Sequence, residues 1–398
     1  MELFAGYPGT PNNAGALVVM DKLSDVPTPH YFKIGEGGTL LWFTTPNHGY
    51  EAETVGCPAQ TIYDTCHLKL SWLGATKSDW QPYIFVQDDK GKVWLAQRSS
   101  LDNKTWTWRE AGCPNLDSFR CGKLRGLGAT SVTDDLFVNE GRRPYLFVTN
   151  DKGNVFSLSR DADGKTWKWS DLKCPGGKCD KEKLEGLGAI NVFDSASKSE
   201  RPYLFVIDDN TSKVWNLWRD VDGKTWRWSD MKCPDEKCDK KYNGLGSMMT
   251  STMMRTTIDN NGIDIGKPRL PYVFVQEEEN QDEVYYLWWS DEESVKQKWT
   301  WSKLTLLNTK QIIGVVPVLY GIKIIPVIAA ETKDKKIVIK YAYTPDPHSW
   351  STREFDCSLC PFNNAITFSR THNSTGNGPI VYESSLAGSK QVFTTYWF

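Results

Sequence analysis

The sequence predicts an all-β fold, a seven-bladed β-propeller of four-stranded antiparallel blades, on three observations. The first is the stretch Arg201–Pro234, RPYLFVIDDNTSKVWNLWRDVDGKTWRWSDMKCP, in which two runs rich in β-branched and aromatic residues and one alternating run (WRWSDM) are separated by polar turns. The second is its copying: Arg143–Pro175 is a near duplicate, Gln81–Pro114 follows the same plan, and Leu270–Leu304 keeps PYVFV and KWTWSKL. The third is spacing. The prolines that open the second strand of each unit, Pro29, Pro82, Pro144, Pro202, Pro271, Pro326 and Pro379, stand 53, 62, 58, 69, 55 and 53 residues apart. A four-stranded sheet with two apolar faces cannot bury both alone, and radial repetition solves that while leaving only short edges. The repeat makes residues 1–398 one domain, a closed ring.

Each strand follows in order within a unit. Gly126-Leu-Gly-Ala, Gly186-Leu-Gly-Ala and Gly244-Leu-Gly-Ser, with LSWLGA before them, open blades two to five, and glycine suits a tight innermost strand. The proline-led run is the second strand, KVWNLWR the third and the W-x-W run the fourth. Asp-Gly before W-x-W marks the last hairpin. Blade one starts at Ala16–Met20 and needs an outer strand from Asn47–Asp64. The apolar run Ile312–Ala330, interrupted by Gly314, Pro317, Lys323 and Pro326, reads as two strands of blade six rather than a membrane helix. The last unit stops after three strands, so residues 2–7 are expected to supply its outer strand.

Composition excludes some partners. The 47 basic and 49 acidic residues leave a net charge of −2, which favours neither nucleic acid nor an acidic membrane surface. The ten cysteines fall into five local pairs: Cys57 with Cys66, Cys113 with Cys121, Cys174 with Cys179, Cys233 with Cys238, and Cys357 with Cys360. Short-loop disulfides in a secreted or secretory-lumen protein are the expectation. Reduced thiols and zinc are the alternatives, and zinc is weakened by the distance between pairs and the lack of histidine at ligand spacing. MELFAGYPG is not a signal peptide, so a secretory chain would be the mature form with an added Met. Sequons at Asn103, Asn210 and Asn373 fall in expected turns and agree with that route.

Chemistry-bearing patterns are few. The hairpins Asp161–Trp167 and Asp220–Trp226 are close to the Asp-box turn of sialidase-like propellers, a structural turn, and offer too few oxygens for a calcium cage. None of the five histidines recurs at a repeat position, no phosphate-cradling loop exists, and no metal or organic cofactor is implied. Aromatic residues carry more. The second residues of the W-x-W pairs, Trp108, Trp169, Trp228 and Trp301, recur and read as core. Trp218, Trp288 and Trp289 are blade-specific, since other blades hold Gln97, Ser159 or arginine there, and Tyr286 lies on the same strand as the last two. They could line a ligand site or fill a blade. Ser247–Lys267 is an insertion carrying Met248, Met249 and Met253, adaptable around an apolar ligand or simply core. Arg98, Arg160 and Arg219 end the third strand in three blades and are donors to hydroxyl or carbonyl oxygens.

The unit resembles the propeller lectins of bacteria and fungi that bind fucose, the seven-bladed group above all, in its GLG entry, D-x-G turn and W-x-W strand. The resemblance is strongest over residues 70–304 and implies sugar sites between blades. The chain departs from it in its varied third-strand residues, where a multivalent lectin needs repetition. In overall character it also resembles the fungal hetero-Diels–Alderases of tropolone-sesquiterpenoid pathways, secretory disulfide-containing proteins with a lectin-like propeller. That resemblance implies a cyclase for a small hydrophobic terpenoid substrate, working without metal or cofactor. It would need an aromatic pocket and a donor to a developing oxygen charge. The expected pocket lies beside blades four and five, with Trp218, Trp288, Trp289, Tyr286, Met248, Met249 and Met253 as walls and Arg219 or Arg255 as donor. The fucose/glycan-binding lectin is the alternative.

Overall fold

β-Branched and aromatic residues alternate with turn residues throughout, and the chain forms strands wherever they do. The computed structural model describes residues 4–5, 14–20, 27–35, 38–44, 51–58, 68–78, 81–98, 105–114, 122–133, 142–161, 166–177, 183–194, 199–220, 222–236, 238–251, 269–290, 298–320, 323–334, 336–342, 349–356, 362–368, 379–386 and 389–396. Among these the structure is all-β, with one short 3-10 turn at Pro175–Gly177 and no α-helix.

A two-residue strand, β1 (Phe4–Ala5), precedes seven antiparallel meanders, one per repeat. They are β2–β5 (Ala14–Met20, Pro27–Ile34, Leu40–Thr44, Glu51–Gly56), β6–β9 (Ser71–Ser78, Gln81–Gln87, Val93–Arg98, Trp106–Gly112) and β10–β13 (Leu124–Thr133, Arg142–Asn150, Val155–Arg160, Trp167–Lys173). Next come β14–β17 (Leu184–Asp194, Ser199–Asp208, Val214–Arg219, Trp226–Asp230) and β18–β21 (Tyr242–Ser251, Arg269–Glu277, Glu283–Ser290, Lys298–Thr305). The last two are β22–β25 (Thr309–Tyr320, Lys323–Thr332, Lys336–Ala342, Trp350–Asp356) and β26–β28 (Phe362–Phe368, Pro379–Leu386, Ser389–Tyr396). The fifth and sixth meanders share one sheet through a single pairing, Ser251 with Ile324. The apolar run at 312–330 is therefore two strands, paired so that Pro317 faces Pro326. No helix among the described residues is long and apolar enough to cross a membrane. The last sheet has three strands, and β1 is not among them: it lies against β18 and β22. With only two residues, β1 is too short to pair along the eight-residue strands of that sheet.

Contacts group the chain into two compact units, Gly6–Asp25 with Pro29–Lys232, and Met1–Ala5 with Val26–Thr28 and Cys233–Phe398. In the first unit the glycines of the G-L-G runs do two jobs. A side chain at Gly126 would meet the Leu73 carbonyl oxygen at 1.9 Å, and one at Gly186 would meet that of Leu127 at 2.3 Å. Each innermost strand thus presses on the backbone of the one before it. The second glycine, Gly128 (φ 151) or Gly188 (φ 116), takes up a bulge where the register with the second strand shifts. Between sheets sit leucine and aromatic clusters: Leu127, Tyr145, Phe147, Leu184, Leu204 and Leu217 are all buried together. In the second unit Leu245, Met248, Tyr272, Phe274 and Tyr286 form the corresponding core.

Candidate functional site between consecutive sheets

The two tryptophans of each W-x-W strand act differently. The second one is an inter-sheet staple. Trp108 Nε1 donates to Val55 O (3.3 Å), Trp169 Nε1 to Ala111 O (2.8 Å) and Trp228 Nε1 to Leu172 O (3.0 Å). Each acceptor lies in or beside the outer strand of the preceding sheet, so the reading of these residues as core stands, and its purpose is to lock sheet to sheet. The first tryptophan meets aromatic rings of the preceding sheet edge-on or, for Trp167 on Tyr83, tilted. Trp106 packs on Phe32 and Trp42, Trp167 on Tyr83 and Phe85, and Trp226 on Tyr145 and Phe147, with centroids 5.6–6.1 Å apart.

Opposite that first tryptophan stands the arginine that ends the third strand. The registers Arg98↔Trp106, Arg160↔Trp167 and Arg219↔Trp226 are identical. Each guanidinium lies over a ring of the sheet before it: Arg98 4.3 Å from the Trp42 centroid, Arg160 5.1 Å from Tyr83, Arg219 5.9 Å from Tyr145. Two of them donate to the tyrosine hydroxyl, Arg160 Nη2 at 2.7 Å and Arg219 Nη1 at 2.5 Å. Cation–ring contacts of this kind contribute about 0.5–2 kcal/mol, more as water is excluded. In three places of this unit a partly exposed arginine and a partly exposed tryptophan therefore lie side by side over a buried aromatic residue of the preceding sheet. The expected donor Arg219 belongs to this set, and it also donates to the Gly223 carbonyl. Sequence reasoning singled out the arginines but missed the first tryptophans and Tyr83 and Tyr145. The signal was available in the near-constant separation of Arg98 from Trp106, Arg160 from Trp167 and Arg219 from Trp226.

The other expected site residues are placed as follows. Trp218, in the first unit, stacks on Tyr203 (6.2 Å, interplanar 16°), lies under Arg201, and donates to Ser229 Oγ at 3.5 Å. In the second unit Trp288 occupies the corresponding register, opposite Tyr272, and donates to Ser302 Oγ at 3.2 Å. Trp289 takes the arginine position and meets Trp299 edge-on at 5.0 Å. Met248 and Tyr286 are each 1% exposed, inside the blade core, and the Tyr286 hydroxyl accepts from Trp350 Nε1 at 3.3 Å. Met249 is also buried. Neither Met248 nor Tyr286 presents a surface to a ligand. Met253 and Arg255 lie outside the described residues.

Acidic groups are engaged elsewhere. In the Asp-box-like turn Asp222 accepts from the backbone N–H of Lys224 (2.8 Å) and Thr225 (2.7 Å) and from the Thr225 hydroxyl. The Thr225 hydroxyl first, then those two amides, hold its carboxyl at about 2. Asp220 accepts from Arg227 Nε at 2.7 Å. In the second unit Lys240 pairs with Glu277 at 2.8 Å and lies 3.9 Å from Glu283, which also holds Lys303 and the Tyr285 hydroxyl (3.0 Å). The hydrogen bond from Lys303 chiefly keeps the Glu283 carboxyl below its ordinary range, and burial chiefly pushes the Tyr285 hydroxyl up to about 12. These carboxylates have cations or turn amides as partners, the pattern of a structural network rather than of a poised base.

Of the five expected cysteine pairs, Cys233 and Cys238 form a disulfide. Cys57, Cys113 and Cys174 are also disulfide-bonded, and their expected partners Cys66, Cys121 and Cys179 lie outside the described residues. Both members of the last expected pair, Cys357 and Cys360, lie outside the described residues as well, so their pairing stays an expectation from spacing. Asn210 stands exposed in the turn after β15, whereas Asn103 and Asn373 lie outside the described residues.

No family model matches the chain, and no curated protein matches it. Among solved structures it is similar to AofleA from Arthrobotrys oligospora (10% identity, 82% of each chain covered, TM-score 0.48). It is also similar to a mutant of the Aleuria aurantia lectin in complex with Fucalpha1-6GlcNAc (14% identity, 82% of this chain and 91% of that one, TM-score 0.46). A third is the SapL1 lectin in complex with alpha methyl fucoside (10% identity, 89% of this chain and 98% of that one, TM-score 0.47). These identities and scores are too low to carry a ligand or an activity across.

Proposed function

We propose that this chain is a carbohydrate-binding protein whose ligand sites lie between consecutive sheets of the unit that ends at Lys232. One observation supports the reading above the rest: the pair of third-strand arginine and first W-x-W tryptophan recurs three times in one register, each time against an aromatic residue of the preceding sheet. A sugar presents an apolar C–H face and a rim of hydroxyls. The partly exposed first tryptophans suit the face, and a guanidinium with its N–H donors suits the rim. Repetition adds avidity toward a branched or surface-displayed glycan. The disulfides favour an extracellular or secretory-lumen setting. No observation among the described residues favours the pericyclic reading: of its expected walls, Met248 and Tyr286 lie in a blade core.

Titration calorimetry against the methyl α-glycosides of fucose, mannose, galactose and glucose tests this. Binding of more than one equivalent of at least one glycoside, weakened by Arg160→Met and by Arg219→Met, is expected. Absence of heat with all four at millimolar sugar would refute the reading.

A further inference from the structure

The sixth meander replaces an indole with an amine. In the second to fifth meanders the residue opposite the second W-x-W tryptophan is apolar and sealed. Ala96 faces Trp108, Leu158 faces Trp169, Leu217 faces Trp228 and Leu287 faces Trp301, and none of the four is more than 1% exposed. β25 keeps the first tryptophan: Trp350 meets Phe274 and Tyr286 of the fifth meander at 6.4 and 5.6 Å. Where the second would stand it has an exposed threonine, Thr352, and the residue opposite is Lys340.

Lys340 takes over the bond that the missing indole would make. It starts beside the buried Ile328, its register partner on β23. Its Nζ donates to Thr305 O at 2.6 Å, on the last residue of β21. Trp169 and Trp228 donate to Ala111 O and Leu172 O, each on the penultimate residue of the preceding outer strand. The sixth meander is thus clasped to the fifth from its third strand instead of its fourth. Lys340 is partly exposed and Thr305 exposed, so solvent reaches this seam.

The amine is also set apart by its partner. Lys92, Lys213, Lys240, Lys303 and Lys310 each pair with a carboxylate. Among the described residues Lys340 pairs with none, and its partner is a neutral carbonyl. A carboxylate holds a lysine in its charged form, as Glu277 does in pushing Lys240 above its ordinary value. With no such partner, burial pushes the Lys340 amine below its ordinary value. A carbonyl oxygen accepts from a neutral amine as readily as it can from an ammonium, so the clasp does not require the charge. Desolvated lysines of this kind are the ones that add to carbonyl compounds.

We propose that Lys340 is a covalent capture site for small aldehydes, the open-chain forms of reducing sugars among them, which it takes as imines at the seam of the fifth and sixth meanders. The neutral Nζ gives its lone pair to the aldehyde carbon and a C–N bond forms. The aldehyde oxygen then leaves as water, carrying the two amine hydrogens, and a C=N bond remains. Nothing is oxidised or reduced. The site uses none of the inter-sheet arginines and stands apart from the carbohydrate reading, so either can fail alone.

The test is limited labelling at neutral pH with glyceraldehyde, trapped by cyanoborohydride, followed by peptide mass mapping of every lysine. In the native protein Lys340 is expected to be labelled several-fold faster than the exposed Lys90, Lys152 and Lys232. In guanidinium chloride that lead is expected to vanish, because the unfolded chain solvates every amine alike. Lys340→Arg keeps a donor for Thr305 O and is expected to hold its melting temperature while losing the fast phase of label uptake. A native rate at Lys340 no higher than that of the exposed lysines overturns the proposal, as does a lead that persists in guanidinium chloride or a fast phase that survives Lys340→Arg. Should Lys340→Arg not fold, the wild-type maps in the two conditions decide.

Discussion

Replacing Gly126 by alanine should be among the most damaging single changes in the chain, although it adds one methyl group. Its Cβ would stand 1.9 Å from the Leu73 carbonyl oxygen, 2.6 Å from the Leu73 carbonyl carbon and 2.9 Å from its Cα, where ordinary contact begins at 3.4 Å. The obstacle is backbone of the neighbouring innermost strand, which no rotamer change can move. The two strands must separate instead, opening the cluster that joins them, with Leu73, Leu124, Ala129 and Leu146 all buried. Overpacking a core costs about 1–3 kcal/mol where side chains can yield. Where they cannot, the loss belongs at the top of that range, about 3 kcal/mol or more. Gly112→Ala is the matched comparison: Gly112 has φ 70 and nothing within 4 Å of the added methyl, so only left-handed strain applies, about 1–2 kcal/mol. Urea unfolding followed by tryptophan fluorescence, with the slopes compared to confirm a common unfolded state, measures both. A Gly126→Ala protein no less stable than Gly112→Ala would refute the account of how adjacent innermost strands pack.

Three further outcomes follow from the described geometry. Trp169→Phe removes the N–H that reaches Ala111 O at 2.8 Å and leaves that carbonyl unpaired, so a loss of about 1–3 kcal/mol in the same urea assay is expected; a loss within experimental error would remove the staple from the argument. Asp222 has its folded carboxyl depressed to about 2 from 3.8, so its stabilisation is present above the ordinary value and vanishes as pH falls through about 2. Acid titration of Asp222→Ala should therefore show a flatter stability profile than wild type between about pH 4 and 2, and superimposable profiles would show that the turn contributes nothing. Asn210 is exposed, so protein from a eukaryotic secretory host should lose mass on endoglycosidase treatment, with the glycopeptide at Asn210 absent in Asn210→Gln; an unmodified Asn210 peptide in wild type would count against that route.

Much of the fold was legible because repetition is a sequence property. Seven prolines at near-even spacing announced seven meanders, and the interrupted run at 312–330 announced two strands. The glycines of G-L-G were legible for a physical reason, the approach of one innermost backbone to the next, and the contacts at Gly126 and Gly186 bear it out. What could not be read was which face of a strand meets which neighbour. Tyr286 and Trp288 are two residues apart on one strand and share a face, yet the first is sealed beneath Trp350 while the second is half-exposed at the strand end. Met248 looked adaptable in an insertion, but it is the continuation of an innermost strand and is buried there.

The varied third-strand residues mislead in an instructive way. Gln97, Ser159, Trp218 and Trp288 differ from sheet to sheet, and taken alone that variation argues against repeated sites. One residue further on, arginine recurs at 98, 160 and 219, each against a tryptophan across the hairpin. It gives way in the fifth meander, to Trp289 against Trp299, and in the sixth, to Ala342 against Trp350. Variation therefore sits beside a constant pair, not in place of it. On the proposed carbohydrate reading, a repeat that keeps the arginine–tryptophan pair but changes the neighbouring side chain from amide to hydroxyl to indole would retain one mode of binding and alter what each inter-sheet site accepts. Loss of repetition at one position is then evidence for divergent subsites, and evidence for a single site only where the constant pair is lost as well.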